Sequence, residues 1–227
     1  MWLSNSSVGR KVVMSVTGLA LILFLTFHMA MNLVAIISED AYNMVCEFLG
    51  ANWYALVATA GLAALFVIHI LYAFWLTIQN RKARGSERYA VVDKPKSVEW
   101  ASQNMLVLGI IVIAGLALHF ANFWYKMQFN EITGVLPNVD PQNGAALIRE
   151  TFSNPVLVVL YLIWLGALWF HLTHGFWSSL QTIGWSNKIW FERWKLISNI
   201  YSTIIVAGFA LVVIVFFAKT LLCGASC

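Results

Sequence analysis

Residues 162–178 read Leu162-Ile-Trp-Leu-Gly-Ala-Leu-Trp-Phe-His-Leu-Thr-His-Gly-Phe-Trp-Ser178 and place two imidazoles, those of His171 and His174, inside an apolar and aromatic run. A histidine in such surroundings needs a polar partner or a ligand, because its ring nitrogens have lost their bonds to water. The chain has five histidines, and the other three end apolar runs of the same kind. These runs are Phe24-Leu-Thr-Phe-His28, Leu65-Phe-Val-Ile-His69 and Gly115-Leu-Ala-Leu-His119.

The composition is that of a membrane protein. Residues of the AVILMFWYC set make up 60% of the 227 residues and charged residues only 11%, against roughly 45–50% and 25% in soluble domains. A helix needs ~20 mainly apolar residues to cross a bilayer, and five segments meet this length. We therefore predict an all-α integral membrane protein, a single domain over residues 1–227 in which five transmembrane helices form a bundle. The predicted spans are 12–37, 53–79, 102–125, 155–182 and 199–222.

The distribution of lysine and arginine predicts the orientation. Eleven of the fourteen basic residues fall at the N-terminus, in the 80–101 loop and in the 183–198 loop, which five spans place on one side. By the positive-inside rule that side is cytoplasmic, so the C-terminus lies outside. The net charge of +4 follows from this topology and gives no reason to expect a nucleic-acid partner. The 80–101 loop has two open interpretations, a plain basic loop and a docking face for a cytoplasmic partner.

Two features of the predicted outer side bear on the fold. Ser38, followed by Glu39 and Asp40, predicts the capped start of a short amphipathic helix between the first two spans. The three cysteines, Cys46, Cys223 and Cys227, also fall on this side. Because they contain no Cys-x-x-Cys pair, we do not expect an iron–sulfur cluster or a zinc site within the chain.

Helix geometry places four of the histidines at two depths. His28 and His119 lie about 9 and 6 residues from the outer ends of their predicted spans, or roughly 9–14 Å below the outer edge. His69 and His171 each lie about 16 residues into spans that run inward, or roughly 24 Å down. Two imidazoles at one depth can ligate a haem iron axially, and glycine and alanine nearby leave room for a porphyrin. We therefore predict two haem b groups roughly 10–15 Å apart along the membrane normal, an outer one on His28 and His119 and an inner one on His69 and His171.

Other roles for these histidines are open. A single histidine in a membrane helix can simply hydrogen-bond a neighbouring helix, and imidazoles also serve as proton or ion sites in transporters and channels. A zinc site is disfavoured, because two ligands at each depth fall short of the usual three or four. His174 lies one turn inward of His171 and has two open roles, a hydrogen bond to a haem propionate or one to a backbone carbonyl.

The sequence resembles the five-helix, two-haem cytochrome b anchor of succinate:quinone oxidoreductases, the single-anchor type of bacterial menaquinone-linked succinate dehydrogenases and fumarate reductases. The similarity covers essentially the whole chain in histidine order, loop lengths and topology. The resemblance implies axial ligation by the same four histidines and carries no ligand role to His174. The local matches are Phe27-His-Met-Ala-Met-Asn32, Ile68-His-Ile-Leu-Tyr72 and Phe170-His-Leu-Thr-His-Gly-Phe-Trp177.

The resemblance implies a membrane anchor for a flavoprotein subunit and an iron–sulfur subunit on the cytoplasmic side of a bacterial inner membrane, and it allows a higher oligomer of that heterotrimer. Electrons would pass between the iron–sulfur subunit, the inner haem, the outer haem and a quinone. The chain has no dinucleotide fingerprint and no cluster-binding cysteine set, so it would complete the enzyme without binding succinate or fumarate. A quinone site is expected near the outer haem, where Asn32, Tyr42 and Glu47 are the available polar residues. A solvated surface carboxylate is the alternative interpretation of Glu47.

The chain also departs from parts of this family. Trp169 stands where some fumarate reductases have a glutamate used in transmembrane proton transfer, and none of the ten acidic residues falls inside a predicted span. A buried carboxylate relay is therefore not expected. The alternative class is the cytochrome b anchor of a hydrogenase, formate dehydrogenase or nitrate reductase, which differs in histidine placement.

Overall fold

The computed structural model describes residues 6–50, 52–84 and 99–223, and every regular element in these ranges is a helix. Five of the helices are long and apolar enough to cross a membrane, which confirms the predicted all-α membrane fold with five spans. In chain order the helices are α1 (Ser7–Ile37), α2 (Glu39–Phe48), α3 (Trp53–Arg84), α4 (Trp100–Gln103), α5 (Met105–Thr133), α6 (Gly144–Phe152), α7 (Pro155–Thr182) and α8 (Trp190–Cys223). Residues 85–98, most of the basic loop predicted at 80–101, lie outside the described residues, as does Cys227.

Four of the five spanning helices differ from their predicted bounds, and only α7 matches at both ends. The largest difference is at α8, which begins at Trp190 and therefore includes much of the loop predicted at 183–198. The side chain of Asn187 accepts hydrogen bonds from the amides of Ile189 and Trp190, both at 2.9 Å, and so caps this helix. Hydropathy shows where a chain becomes apolar, whereas a helix starts where its first amides find a cap.

Helix α5 also continues past its predicted end at residue 125. It is α-helical over Met105–His119, π-helical over Phe120–Phe129 and α-helical again over Asn130–Thr133. Gly134, with φ of 66°, ends it in the left-handed conformation that glycine adopts without a steric penalty. A π-helical stretch is rare and is frequently found at functional sites, and this one begins at the residue after His119.

Capping side chains begin three of the helices, and the predicted cap at Ser38 is one of them. The Ser38 side chain accepts from the amide of Ala41 at the start of α2, and Asn154 accepts from the amide of Val156 at the start of α7, where Pro155 is the first helical residue. Asn143 caps α6 in the same way. Each cap satisfies an amide that has no partner within its own helix.

Helix α7 lies at the centre of the bundle. It packs against α1, α5 and α8, and it is the most buried of the five spans, whereas α3 packs mainly on α1 and is the least buried. Hydroxyl groups join the helices at close range: Ser198 of α8 donates to the Thr173 carbonyl of α7 at 2.7 Å, and Tyr201 of α8 hydrogen-bonds Thr26 of α1. Small and hydroxyl-bearing residues are typical of contacts between membrane helices, because they let two backbones approach.

At the outer end, one carboxylate joins three helices. Glu39 of α2 pairs with Arg149 of α6 and, at 2.9 Å, with Lys219 of α8. Burial alone would raise the pKa of the Glu39 carboxyl, but the hydrogen bonds and charges of Lys219 and Arg149 outweigh it and hold that pKa below its usual value. The carboxylate therefore stabilises the folded bundle at neutral pH, and this contribution is lost as the pH falls through the lowered pKa.

Replacing Glu39 with Gln should lower the stability of the detergent-solubilised protein by about 1 kcal/mol at pH 7, because both ion pairs are lost and both are partly exposed. The difference from wild type should shrink at a second, acidic pH below this lowered pKa, where the native carboxyl also becomes protonated. Thermal unfolding at the two pH values measures this. Asp40→Asn, an exposed neighbour on α2, is the matched control and should change little. Equal stability of Glu39→Gln and wild type at pH 7 would contradict a stabilising role for these ion pairs.

Candidate functional site

The structure brings together the histidines that were predicted to share the outer level. His28 of α1 and His119 of α5, called the outer pair, have ring centroids 5.8 Å apart and ring planes at 83°. Aromatic rings surround them: Phe24 stacks on His28 at 5.4 Å, Phe209 of α8 lies 5.6 Å from it, and Trp164 of α7 lies 5.8 Å from His119. The outer pair is therefore held in an apolar, aromatic environment formed by four helices.

The histidines predicted at the inner level also face each other. His69 of α3 and His171 of α7, called the inner pair, have ring centroids 6.4 Å apart and ring planes at 68°. Thr17 and Gly18 of α1 lie against His69, and Gly109 of α5 lies next to His171. The inner pair thus lies where α1, α3, α5 and α7 meet.

The separation of the two sites follows from helix rise. On α1, Thr17 contacts the inner pair and His28 lies eleven residues further along, a rise of roughly 16 Å. On α5, Gly109 lies next to the inner pair and His119 lies ten residues further along, a rise of roughly 15 Å. The rise along α1 and the rise along α5 therefore give nearly the same spacing between the inner and the outer pair. This spacing is at or slightly above the upper end of the range predicted from the sequence.

Both pairs fit axial ligation of one metal ion between two imidazoles. With a metal–nitrogen distance of ~2 Å and a ring nitrogen ~1.1 Å from its own centroid, two axial imidazoles have centroids ~6.3 Å apart, close to the observed 5.8 and 6.4 Å. In the part of the chain that the structure describes, the side chains of Thr17 and Asn32 contact Nδ1 of His69 and of His28. No group of three or more His, Cys, Asp and Glu side chains converges in these ranges, so each site offers two protein ligands. Haem needs only two, because the porphyrin supplies the other four.

His174 lies one turn inward of the inner pair and faces a carboxylate. Its Nδ1 atom is 3.5 Å from Oε2 of Glu99, which also accepts from the indole of Trp177 at 3.3 Å, while Lys195 lies 3.4 Å from Oε1. Neither role predicted for His174 named this partner, because Glu99 lies outside every predicted span. Its position on the chain, directly before α4, gave no signal of the contact. The propionate contact stays a prediction.

Two of the three residues predicted for a quinone site lie together next to the outer pair. The Tyr42 hydroxyl donates to Oδ1 of Asn32 at 3.3 Å, and the Asn32 amide donates to the His28 carbonyl at 2.8 Å. Nδ2 of Asn32 is also 3.4 Å from Nδ1 of His28. Burial raises the pKa of the Tyr42 phenol above its usual value, so the hydroxyl keeps its proton at neutral pH.

Glu47, the third predicted residue, is not brought to this place. It is exposed, on a different face of α2 from Tyr42, at a shallow polar hollow that it shares with Asp40 and Asp140. A solvated surface carboxylate, the alternative interpretation, describes this position. Helices α1 and α2 also form an open apolar groove whose lining includes neither Asn32 nor Tyr42; it is lined by Phe27, Met31, Ala41, Met44, Val45, Phe48 and Leu49.

The indole of Trp169, at the position where some relatives of the resembled family have a glutamate, donates to the hydroxyl of Thr203 on α8 at 2.9 Å. The side chain therefore contributes a bond between α7 and α8. It has no titratable group with which to carry a proton.

The fold and the site define a multi-pass membrane protein with two facing histidine pairs at different depths. Comparisons with protein-family models, with curated proteins and with solved structures found no match for the chain. The support for a function therefore comes from the two pairs, their surroundings and the sequence pattern.

Gly115 of α5 provides a test of how the outer pair is packed. Because Gly115 has no side chain, it leaves room for the ring of Trp164. The indole of Trp164 donates to the Val112 carbonyl at 3.0 Å, and its ring lies against His119. Gly115→Ala should displace that ring and cost about 1–3 kcal/mol, the usual penalty of overpacking. The measurement is thermal unfolding in detergent.

Gly166→Ala on α7 is the matched control, because a methyl group there meets no atom within 4 Å. It should leave stability unchanged or raise it slightly. If the two variants unfolded at the same temperature, Trp164 could not be held against Gly115 as described.

Proposed function

We propose that the chain is the cytochrome b membrane anchor of a succinate:quinone oxidoreductase, a succinate dehydrogenase or fumarate reductase. It holds two haems b and carries electrons between an iron–sulfur subunit and membrane quinone. The observation that supports this most directly is the pair of facing imidazole sites, because each has the separation that axial ligation requires. The sequence resemblance supports the same assignment through the order of the histidines.

In this proposal the outer pair holds one haem and the inner pair the other. Each haem supplies a one-electron centre when bound. The chain's own residues fix the two axial nitrogens of each site, and the aromatic side chains around the outer pair exclude water from it. The rise of roughly 15 Å between the two levels places the sites one above the other as steps of a path across the bilayer.

The proposed orientation puts the inner pair next to the cytoplasm. Basic residues collect at that end of the described bundle, and the positive-inside rule assigns such an end to the cytoplasm. The flavoprotein and iron–sulfur subunits would dock there, and a bacterial inner membrane is the location that fits this arrangement. The 85–98 part of the basic loop stays a predicted docking face. The basic residues at this end are Arg10, Lys11, Arg81, Lys82, Lys188, Arg193 and Lys195.

Quinone, of the menaquinone type, is the proposed partner of the outer haem. Asn32 and Tyr42 present an amide and a phenol within hydrogen-bond reach of each other beside His28, and these groups can bond a quinone carbonyl. The apolar groove between α1 and α2, which neither of these residues lines, offers a surface for the hydrocarbon tail. Glu47 contributes only if the surface of α2 rearranges.

The haem assignment is tested by single substitutions in the purified protein. His28→Ala or His119→Ala should remove the outer haem and leave the inner one, and His69→Ala or His171→Ala should do the converse. His174→Ala is the matched control on α7 and should keep both haems. Reduced-minus-oxidised spectra, the haem-to-protein ratio and a redox titration measure the outcome. A wild-type protein without low-spin b-type haem, or a His171→Ala protein that keeps both haems, would rule the assignment out. The soluble subunits that copurify then distinguish this complex from a hydrogenase, formate dehydrogenase or nitrate reductase.

The quinone site is tested by Tyr42→Phe, which removes one hydroxyl and keeps the packing. Quinone turnover by the assembled complex should fall by roughly tenfold, the effect of losing a hydrogen bond worth about 1.4 kcal/mol. Haem content and succinate oxidation with a soluble dye should not change, because neither uses this hydroxyl. Glu47→Gln is the matched comparison on α2 and should behave as wild type. Slow turnover in Glu47→Gln together with normal turnover in Tyr42→Phe would move the site to Glu47.

A further inference from the structure

The two rings of the inner pair differ in the surroundings of their Nδ1 atoms. Nδ1 of His69 lies 3.2 Å from the hydroxyl oxygen of Thr17 on α1, whereas Nδ1 of His171 is buried without a hydrogen-bond partner in the described part of the chain. Thr17 is itself buried, with 4% of its surface exposed. A buried hydroxyl from a third helix therefore engages only one of the two facing rings.

The direction of this hydrogen bond follows from the other contacts of Thr17. Its hydroxyl oxygen is 2.9 Å from the Val13 carbonyl and 3.1 Å from the Met14 carbonyl, and neither carbonyl can donate. The single hydroxyl proton is thus directed along α1, and the oxygen keeps lone pairs free to accept. We assign His69 as the donor, through a protonated Nδ1, because the backbone carbonyl of Met14 also accepts a hydrogen bond from this ring and Thr17 and Met14 lie on the same helix.

A protonated Nδ1 fixes the chemistry of the other ring nitrogen. In a neutral imidazole with Nδ1 protonated, Nε2 carries the lone pair and is the atom that binds a metal. The ring is also held in place by Gly18, because a methyl group there would lie 3.3 Å from Cε1 of His69, tighter than most such contacts. Thr17 and Gly18 therefore form the surface of α1 against which the His69 ring of α3 packs.

We propose that Thr17 is the positioning residue of the inner metal ligand: its hydroxyl accepts from Nδ1 of His69, orients the ring and selects the tautomer that ligates through Nε2. This inference rests on the proposed function, since it assigns a role toward the inner haem. When an acceptor polarises the Nδ1–H bond, electron density on the imidazole ring rises. Nε2 then becomes a stronger donor to the metal. Stronger donation favours the oxidised iron, so Thr17 lowers the reduction potential of the inner haem.

Thr17→Val is the direct test, because it keeps the shape of the side chain and removes the hydroxyl acceptor, which leaves the ring only the Met14 carbonyl. In the purified complex, potentiometric titration should show the inner haem becoming easier to reduce, by about tenfold in its reduction equilibrium, or ~59 mV for one electron. The low-spin electron paramagnetic resonance signal of the inner haem should shift as well, because the ring is no longer held. The outer haem is the internal reference and should keep its potential and signal.

Two further variants separate positioning from folding. Thr17→Ser keeps the hydroxyl and should return the inner haem to its wild-type potential. Thr77→Val on α3 makes the same change at a hydroxyl that donates only to the Ala73 carbonyl of its own helix, and it should leave both potentials unchanged. Loss of the inner haem alone from Thr17→Val, with retention in Thr17→Ser, would also support the role.

Three results would overturn the proposal. The first is an unchanged inner potential and spectrum in Thr17→Val. The second is an equal shift in Thr17→Val and Thr17→Ser, and the third is loss of both haems from both variants, which would show a role in folding only. Failure of the proposed function itself has a different signature, since the wild-type protein would then contain no b-type haem.

Discussion

An imidazole inside a bilayer has no water to bond, and the placement of five of them governs how the spans of this chain pack. An unpaired polar group in an apolar interior costs several kcal/mol, so each ring must face something. Four of the rings face each other in two pairs, and the fifth, His174, faces Glu99. Each pair connects two helices whose backbones have few or no other close contacts in the described part of the chain: the outer pair joins α1 to α5, and the inner pair joins α3 to α7. Helix α7 lies at the centre, and its Tyr161 and Trp164 rings pack against His119 of the outer pair.

The remaining polar groups in the spans reinforce these neighbours. Trp164 bonds α7 to α5, Trp169 bonds α7 to α8, and Ser198 bonds α8 back to α7. Each contact satisfies a group that lipid could not satisfy and fixes the rotation of a helix about its own axis. At the outer end, where water is present, ion pairs on Glu39 and capping side chains do the same for α2, α6 and α8. The bundle thus uses hydrogen bonds of neutral groups in its interior and charges at its rim.

The sequence predicted the number of spans, the helical class and the grouping of histidines, because these depend on apolar length and on position along a helix. It could not predict the ends of α5 and α8, since a helix continues past its apolar part for as long as its amides find partners. It also missed the π-helical turns after His119, which change hydrogen bonding without any change in composition. Thr17 was missed because spans that are apolar on all sides do not encode which side faces a neighbour, and Glu99 was missed because it lies outside every predicted span. Glu47 was expected near the outer haem as one of the polar residues available there, but on α2 it lies exposed at the surface.

The inner pair affects how helix α3 is held in the bundle. Helix α3 packs mainly on α1 and buries the least of the five spans, yet it supplies one ring of this pair. The Thr17–His69 contact holds that ring in place from α1 before any ligand arrives, so only the gap between His69 and His171 is left to bridge. A group bound between the two rings would tie α3 to α7 and would stabilise the folded state in proportion to its affinity. In the proposed cytochrome, His69 and His171 would hold the inner haem, and this would connect α3, which packs mainly on α1, to α7 as well. The outer pair joins helices α1 and α5, each of which already packs on α7, and so it depends less on its ligand for packing.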